Sequence, residues 1–151
     1  MKKIISLTLV SFLLFTILSI NSAAHIEQDI TYLSDGSYFV TTIVEHSTSA
    51  RASGTKTGQK TVDYCNSDGE VQWTATIKGT FTYTGSSATC TSASISHYIY
   101  DSTWKITAET ATKSGNKATG NVTAKKYLLG IPTRTIEKSI TLTCSATGTL
   151  S

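Results

Sequence analysis

Between Val71 and Tyr83 the chain alternates between two kinds of residue. Val71, Trp73, Ala75, Ile77, Gly79, Phe81 and Tyr83 are interleaved with Gln72, Thr74, Thr76, Lys78, Thr80 and Thr82. Successive side chains of a strand point to opposite faces, so this spacing makes one apolar face and one Thr-rich face. That is the pattern of a half-buried antiparallel strand. The three-to-four spacing of an amphipathic helix is hard to find anywhere after residue 24. At about 3.4 Å per residue the segment is long for one straight strand. Gly79 is the natural place for it to bulge or turn a corner.

Turn chemistry divides the rest into similar pieces. Asn66-Ser67-Asp68-Gly69 reads as a hairpin turn. Folding Lys60–Cys65 back across it sets Tyr64 against Val71 and Val62 against Trp73, and places Cys65 opposite Glu70 on the polar face. The same reading gives strands at Tyr38–Val44, Thr89–Tyr100, Trp104–Thr112, Ala118–Leu129 and Thr135–Cys144. Six or seven short strands with turns between them predict an all-β fold, a single antiparallel sandwich of immunoglobulin-like build. A partly open β-barrel is the alternative.

The N-terminus is built differently. Met1-Lys2-Lys3 is basic, Ile4 to Ile20 is apolar apart from Ser and Thr, and Asn21-Ser22-Ala23-Ala24 supplies small residues. This is the layout of a secretory signal peptide cut after Ala24 or Ala23. Its apolar run falls short of a comfortable membrane span, and the alternative is an uncleaved anchor. The expected organisation is a signal peptide over 1–24 and an N-terminal strand with a flexible Ser/Thr/Gly-rich linker over 25–59. A β-sandwich body follows over 60–151. The expected location is secreted, extracellular. Loss of Lys2 and Lys3 leaves eleven basic and ten acidic residues, a net charge near +1. Such a chain has no electrostatic footprint for nucleic acid.

Three cysteines in an exported chain leave one unpaired. Alternation turns Cys144 inward and the hairpin pairing turns Cys65 outward. Strict alternation also turns Cys90 outward, and a bulge in the neighbouring Ser-rich stretch would reverse it. The pairing expected is a Cys90–Cys144 disulfide with Cys65 free, the other two pairings staying open. No Cys-x-x-Cys or His-x-x-x-His spacing suggests a metal site, and no cofactor is implied.

Several segments, Arg51-Ala52-Ser53-Gly54-Thr55-Lys56-Thr57-Gly58, Gly79-Thr80-Phe81-Thr82-Tyr83, Thr89-Cys90-Thr91, Ser114-Gly115-Asn116, Tyr127-Leu128-Leu129-Gly130-Ile131 and Leu142-Thr143-Cys144, carry a resemblance. Over roughly Ser34 to Ser151 the chain resembles an uncharacterised family of small secreted proteins of Gram-positive, mostly clostridial, bacteria. That resemblance implies export and one β-rich domain, and it brings no catalytic residue. The family pattern has counterparts of Cys90 and Cys144, which favours that disulfide, whereas Cys65 looks like an addition.

Catalytic constellations are sparse. His97 is the one histidine inside a predicted strand, His25 and His46 lying in the flanks, and no nucleophile elbow accompanies it. The acids Asp63, Asp68, Glu70, Asp101 and Glu109 read as turn or exposed strand residues rather than as a pair across a cleft. A hydrolase is therefore the weakest of three readings. The first is a non-catalytic module that binds a cell-surface, glycan or protein partner. The second is a diffusible secreted effector or bacteriocin-like antagonist. Two features motivate these. Leu128, Leu129 and Ile131 put an apolar tip where a turn should be polar, with Lys125 and Lys126 beside it, suited to an anionic polymer or, more weakly, a membrane. Tyr98 and Tyr100 lie near a strand end, where rings can stack on a partner.

Overall fold

The structure, a computed structural model, describes residues 25–45 and 53–151, and the side chains from Glu27 onward. The signal-peptide segment, His46 and the central part of the expected linker lie outside the described residues. Eight strands follow one another: β1 (His25–Tyr32), β2 (Tyr38–Glu45), β3 (Gly54–Cys65), β4 (Val71–Tyr83), β5 (Ala88–Ile99), β6 (Trp104–Ser114), β7 (Lys117–Leu128) and β8 (Ile131–Thr143). They form two antiparallel sheets, β1-β2-β3-β4-β5 and β6-β7-β8, each in chain order. The all-β expectation holds, and the two sheets are not closed into a barrel. Their order is a meander, whereas the immunoglobulin pattern requires a Greek-key return.

Both sheets contribute to one core, in a sandwich-like arrangement. The fully buried side chains include Val62, Tyr64, Trp73, Ile77 and Phe81 from the first sheet and Ile140 and Leu142 from the second. An aromatic cluster joins the sheets. Tyr64 stacks on Trp73 at 5.4 Å and meets Trp104 of β6 edge-on at 5.2 Å, while Phe39 packs against both Tyr64 and Trp73. Such pairs contribute about 0.5–1.5 kcal/mol each beyond area burial.

Two bulges correct the expected faces. β3 and β4 pair Tyr64 with Trp73 and Val62 with Ala75, two residues away from the expected register, and Cys65 pairs with Val71 across an irregularity at Tyr64/Cys65. The extra residue, Gln72, is absorbed there, so Tyr64 and Trp73 lie directly opposite each other and both Cys65 and Gln72 are buried. Between β4 and β5, Thr80 pairs with Ser92 and Phe81 with Cys90, so Thr91 is skipped and Cys90 turns inward.

Two strand assignments also change. β1 was not among the expected strands, yet its register with β2 is complete from His25↔Glu45 to Tyr32↔Tyr38. Gly54–Gln59, expected as linker, is the first half of β3, paired with Tyr83–Lys78.

Close backbone approach explains Gly79. A Cβ there would lie 2.6 Å from the Phe81 ring and 3.0 Å from the Ala118 Cβ of the opposite sheet. Gly79→Val is expected to overpack the core and destabilise the chain by about 1–3 kcal/mol in denaturant unfolding. An unchanged midpoint would show that the sheets do not meet at this position.

Candidate functional site

An antiparallel meander sends alternate turns to the same end. The turns after β1, β3, β5 and β7 therefore gather at one end of the molecule. Tyr100 and Asp101 donate their backbone N–H groups to the Gln72 carbonyl, and Tyr127 N–H donates to Thr103 O, which ties the last three turns together. The first turn is held to β8 by Arg134. Its guanidinium forms an ion pair with Asp35, donates to Ser37 Oγ at 3.2 Å and lies 5.5 Å from the Tyr64 ring centroid. Hydrogen bonds from Ser37 and then the Arg134 contact hold the Asp35 carboxyl down, at a pKa of about 2.

The candidate binding residues all fall near this end. Leu128 and Ile131 are exposed, and Leu129 is 95% exposed. Leu129 and Gly130 form the turn between β7 and β8 with φ of 51° and 83°. This is the primed hairpin turn, which favours Asn-Gly or Gly-Gly at its centre. A leucine in the left-handed region is strained, and strain of this kind concentrates at functional positions. Leu129 is the one non-glycine residue with positive φ among the described residues.

Tyr98 and Tyr100 are exposed and touch edge-on, with centroids 4.7 Å apart. Tyr100 and Lys126 share the lining of a shallow depression with Asn66, Glu70 and Gln72. Lys126 also borders a small neighbouring pocket of about 100 Å³, together with Trp104, Ser37 and Arg134. Lys126 lies 6.0 Å from the Trp104 ring and Lys105 lies 5.3 Å from that of Tyr127. The structure thus joins Tyr98 to Tyr100, and Tyr100 to the base of the apolar hairpin through Lys126. Lys125 sits in the register beside Lys105, with no ion pair among the described residues. Tyr32, 69% exposed and packed on Tyr38, belongs to the same end and was missed with β1.

The expected disulfide is not formed. Cys65, Cys90 and Cys144 are all free and buried. Cys90 and Cys144 flank the β6–β7 turn, donating their backbone N–H groups to Gly115 O and Asn116 O. Their thiols are occupied separately: Cys90 Sγ donates to Ser92 O at 3.2 Å, and Cys144 Sγ donates to Ser145 O at 3.4 Å. Burial pushes all three thiols up, which keeps them protonated and unreactive. Cys65 lies opposite Tyr38 in the β2–β3 register, whereas His97 Nδ1 is 2.7 Å from Glu109 Oε2 of β6, so the two form no dyad. Asp63 accepts from Thr74, Glu70 from Asn66 and Asp101 from Thr103. Among the described residues no three His, Cys, Asp or Glu side chains are placed to hold a metal ion.

No family model, curated protein or solved structure matches the chain.

The Asp35–Arg134 contact has a defined pH signature. A carboxyl whose folded pKa lies below its ordinary 3.8 adds stability above that value and loses it as pH falls toward 2. Melting temperatures measured from pH 5 to pH 1.5 should fall more steeply for the native chain than for Asp35→Asn between pH 4 and 2. Parallel curves would mean that the bridge does not hold the turn.

Proposed function

We propose that this chain is a small exported, non-catalytic binding module that engages a cell-surface polymer or protein through its four-turn end. One observation carries the reading: a leucine in a strained left-handed turn, 95% exposed, at the tip of a hairpin. Folding favours Gly or Asn at that position, and burial does not explain the side chain. A contact made outside the molecule does. The clustering of Tyr98, Tyr100, Leu128 and Ile131 near the same end supports it, since aromatic and aliphatic anchors dominate binding surfaces. Export rests on the residues before His25 and on the clostridial resemblance.

A second reading, the diffusible effector, is favoured by the lysines beside the tip. Lys125 and Lys126 flank the apolar residues as a basic collar would at an anionic bilayer. Leakage of dye from anionic vesicles would mark this reading, and a surface-binding module should cause none.

The test is retention of the mature protein on washed bacterial cell walls. Leu128→Ser with Leu129→Ser should reduce retention tenfold or more without lowering the melting temperature. Leu129→Gly should raise stability by about 1 kcal/mol, because glycine adopts this backbone freely, and should still weaken retention. Retention unchanged in both variants would refute the tip as the binding site.

A further inference from the structure

The first sheet is two strands wider than the second, and the excess lies on one side. β8 packs over β3 and β4, and its backbone comes within 8 Å of neither β1 nor β2. The inner faces of β1 and β2 therefore floor a groove of about 660 Å³ whose far wall is β8. Glu27 and Asp29 of β1 stand on one bank, and Lys60 of β3 and Lys138 of β8 on the other. Thr41 and Ile43 of β2 lie between them.

The wall of this groove is an unpaired strand edge. β8 pairs with β7 on one side only. On its other side Thr143 exchanges both backbone hydrogen bonds with Ser151, at 2.8 and 3.0 Å, and Cys144 bridges Leu150. The two-residue period of an antiparallel ladder turns the N–H and C=O groups of Thr141, Ser139 and Glu137 the same way. Among the described residues no strand pairs with them. Leu150 and Ser151 thus sit where the first rungs of a fourth strand beside β8 would lie. Glu45 holds them there, accepting from the Leu150 N–H while paired with Lys56 at 2.8 Å. Ser151 lines the groove.

We propose that the groove takes an extended peptide strand of a partner protein, added antiparallel to β8 in line with Leu150–Ser151. The width decides against a second folded copy of this chain. Paired β8 strands would lie about 4.8 Å apart, while each molecule carries a two-strand overhang of about 10 Å on that side, so the overhangs would collide. A lone strand fits. A glycan is disfavoured because no exposed aromatic ring lines the groove.

The charges state what the strand must carry. Lys138 points inward from an edge strand, its Nζ 4.2 Å from the Phe39 ring centroid. An inward charge on an edge repels an apolar strand. None of Glu27, Asp29, Lys60 or Lys138 is in an ion pair among the described residues. A strand with a carboxylate facing Lys138 and a cation facing Asp29 satisfies both banks. Burial lowers the proton affinity of Lys138, Asp29 raises it and Lys60 lowers it, so the carboxylate also offsets a desolvated cation.

The probe is the peptide Val-Thr-Lys-Thr-Glu-Thr, whose alternate residues would face into the groove. Appended after Ser151, it should raise the melting temperature by several degrees. As a free fluorescent peptide it should bind the native chain, and bind the extended chain at least tenfold more weakly. Ser139→Pro removes one N–H from the free edge and none from the β7 ladder, and should also weaken binding tenfold or more. N-methylating the peptide amides that face β8 makes the same test with the protein untouched. Exchanging Lys and Glu in the peptide should weaken binding, and Leu128→Ser with Leu129→Ser should leave it unchanged, which separates this site from the turn end. An extension that leaves the melting temperature unchanged would overturn the proposal. So would a free peptide indifferent to N-methylation.

Discussion

The contact between Trp73, Tyr64 and Trp104 is the one on which the rest depends. It brings β3 and β4 of the wide sheet against β6 of the narrow one, and all three rings are almost completely buried. Truncating a buried tryptophan costs about 3–5 kcal/mol, a large fraction of the stability of a domain this size. Because the cluster lies beneath β3 and β4, the three strands of the second sheet centre over β3, β4 and β5. β1 and β2 are left uncovered by strands. The open groove follows from the packing.

The same geometry gives the molecule surfaces of different character. At one end the meander gathers four turns, and the Arg134 contacts tie the first of them to β8. The exposed tip at Leu129 lies at this same end. At the other end the turn at Gly115-Asn116 fixes Cys90 and Cys144, and the C-terminal tail closes over Gly58, where a Cβ would collide with Leu150. Along one side lies an unpaired edge, which natural sheets usually blunt with charge. Lys138 fits that practice, and its unpaired state opposite Glu27 and Asp29 turns the charge into a specificity element.

Alternation made most of the fold legible. The apolar face from Trp73 to Tyr83 packs as read, whereas the bulge leaves Val71 half-buried and buries Gln72, and the strand beginnings from Trp104 and Tyr38 match. What alternation could not reveal was where it is interrupted. The bulge that skips Thr91 turned Cys90 inward, and the irregularity at Tyr64/Cys65 buried a thiol expected outside. β1 was missed for a different reason. Its alternation is present but inverted: Ile30 and Tyr32 face solvent while Glu27, Asp29 and Thr31 face the groove. A strand with no sheet over its inner face need not turn its apolar residues inward. The groove was illegible for the same reason. Leu128, Leu129 and Ile131 stood out because they are apolar in a turn. The positive φ of Leu129 is a backbone property that composition only hinted at.

The central claim is that the narrow sheet ends at β8, with one side of that strand open along the groove. Amide hydrogen exchange measured residue by residue on the native chain tests it directly. The N–H groups of Ile136, Lys138 and Ile140, which face β7, should exchange slowly. Those of Glu137, Ser139 and Thr141 should exchange much faster, and Thr143, bonded to Ser151, should again be slow. Uniform protection along β8 would mean that another strand covers the edge and would contradict the account.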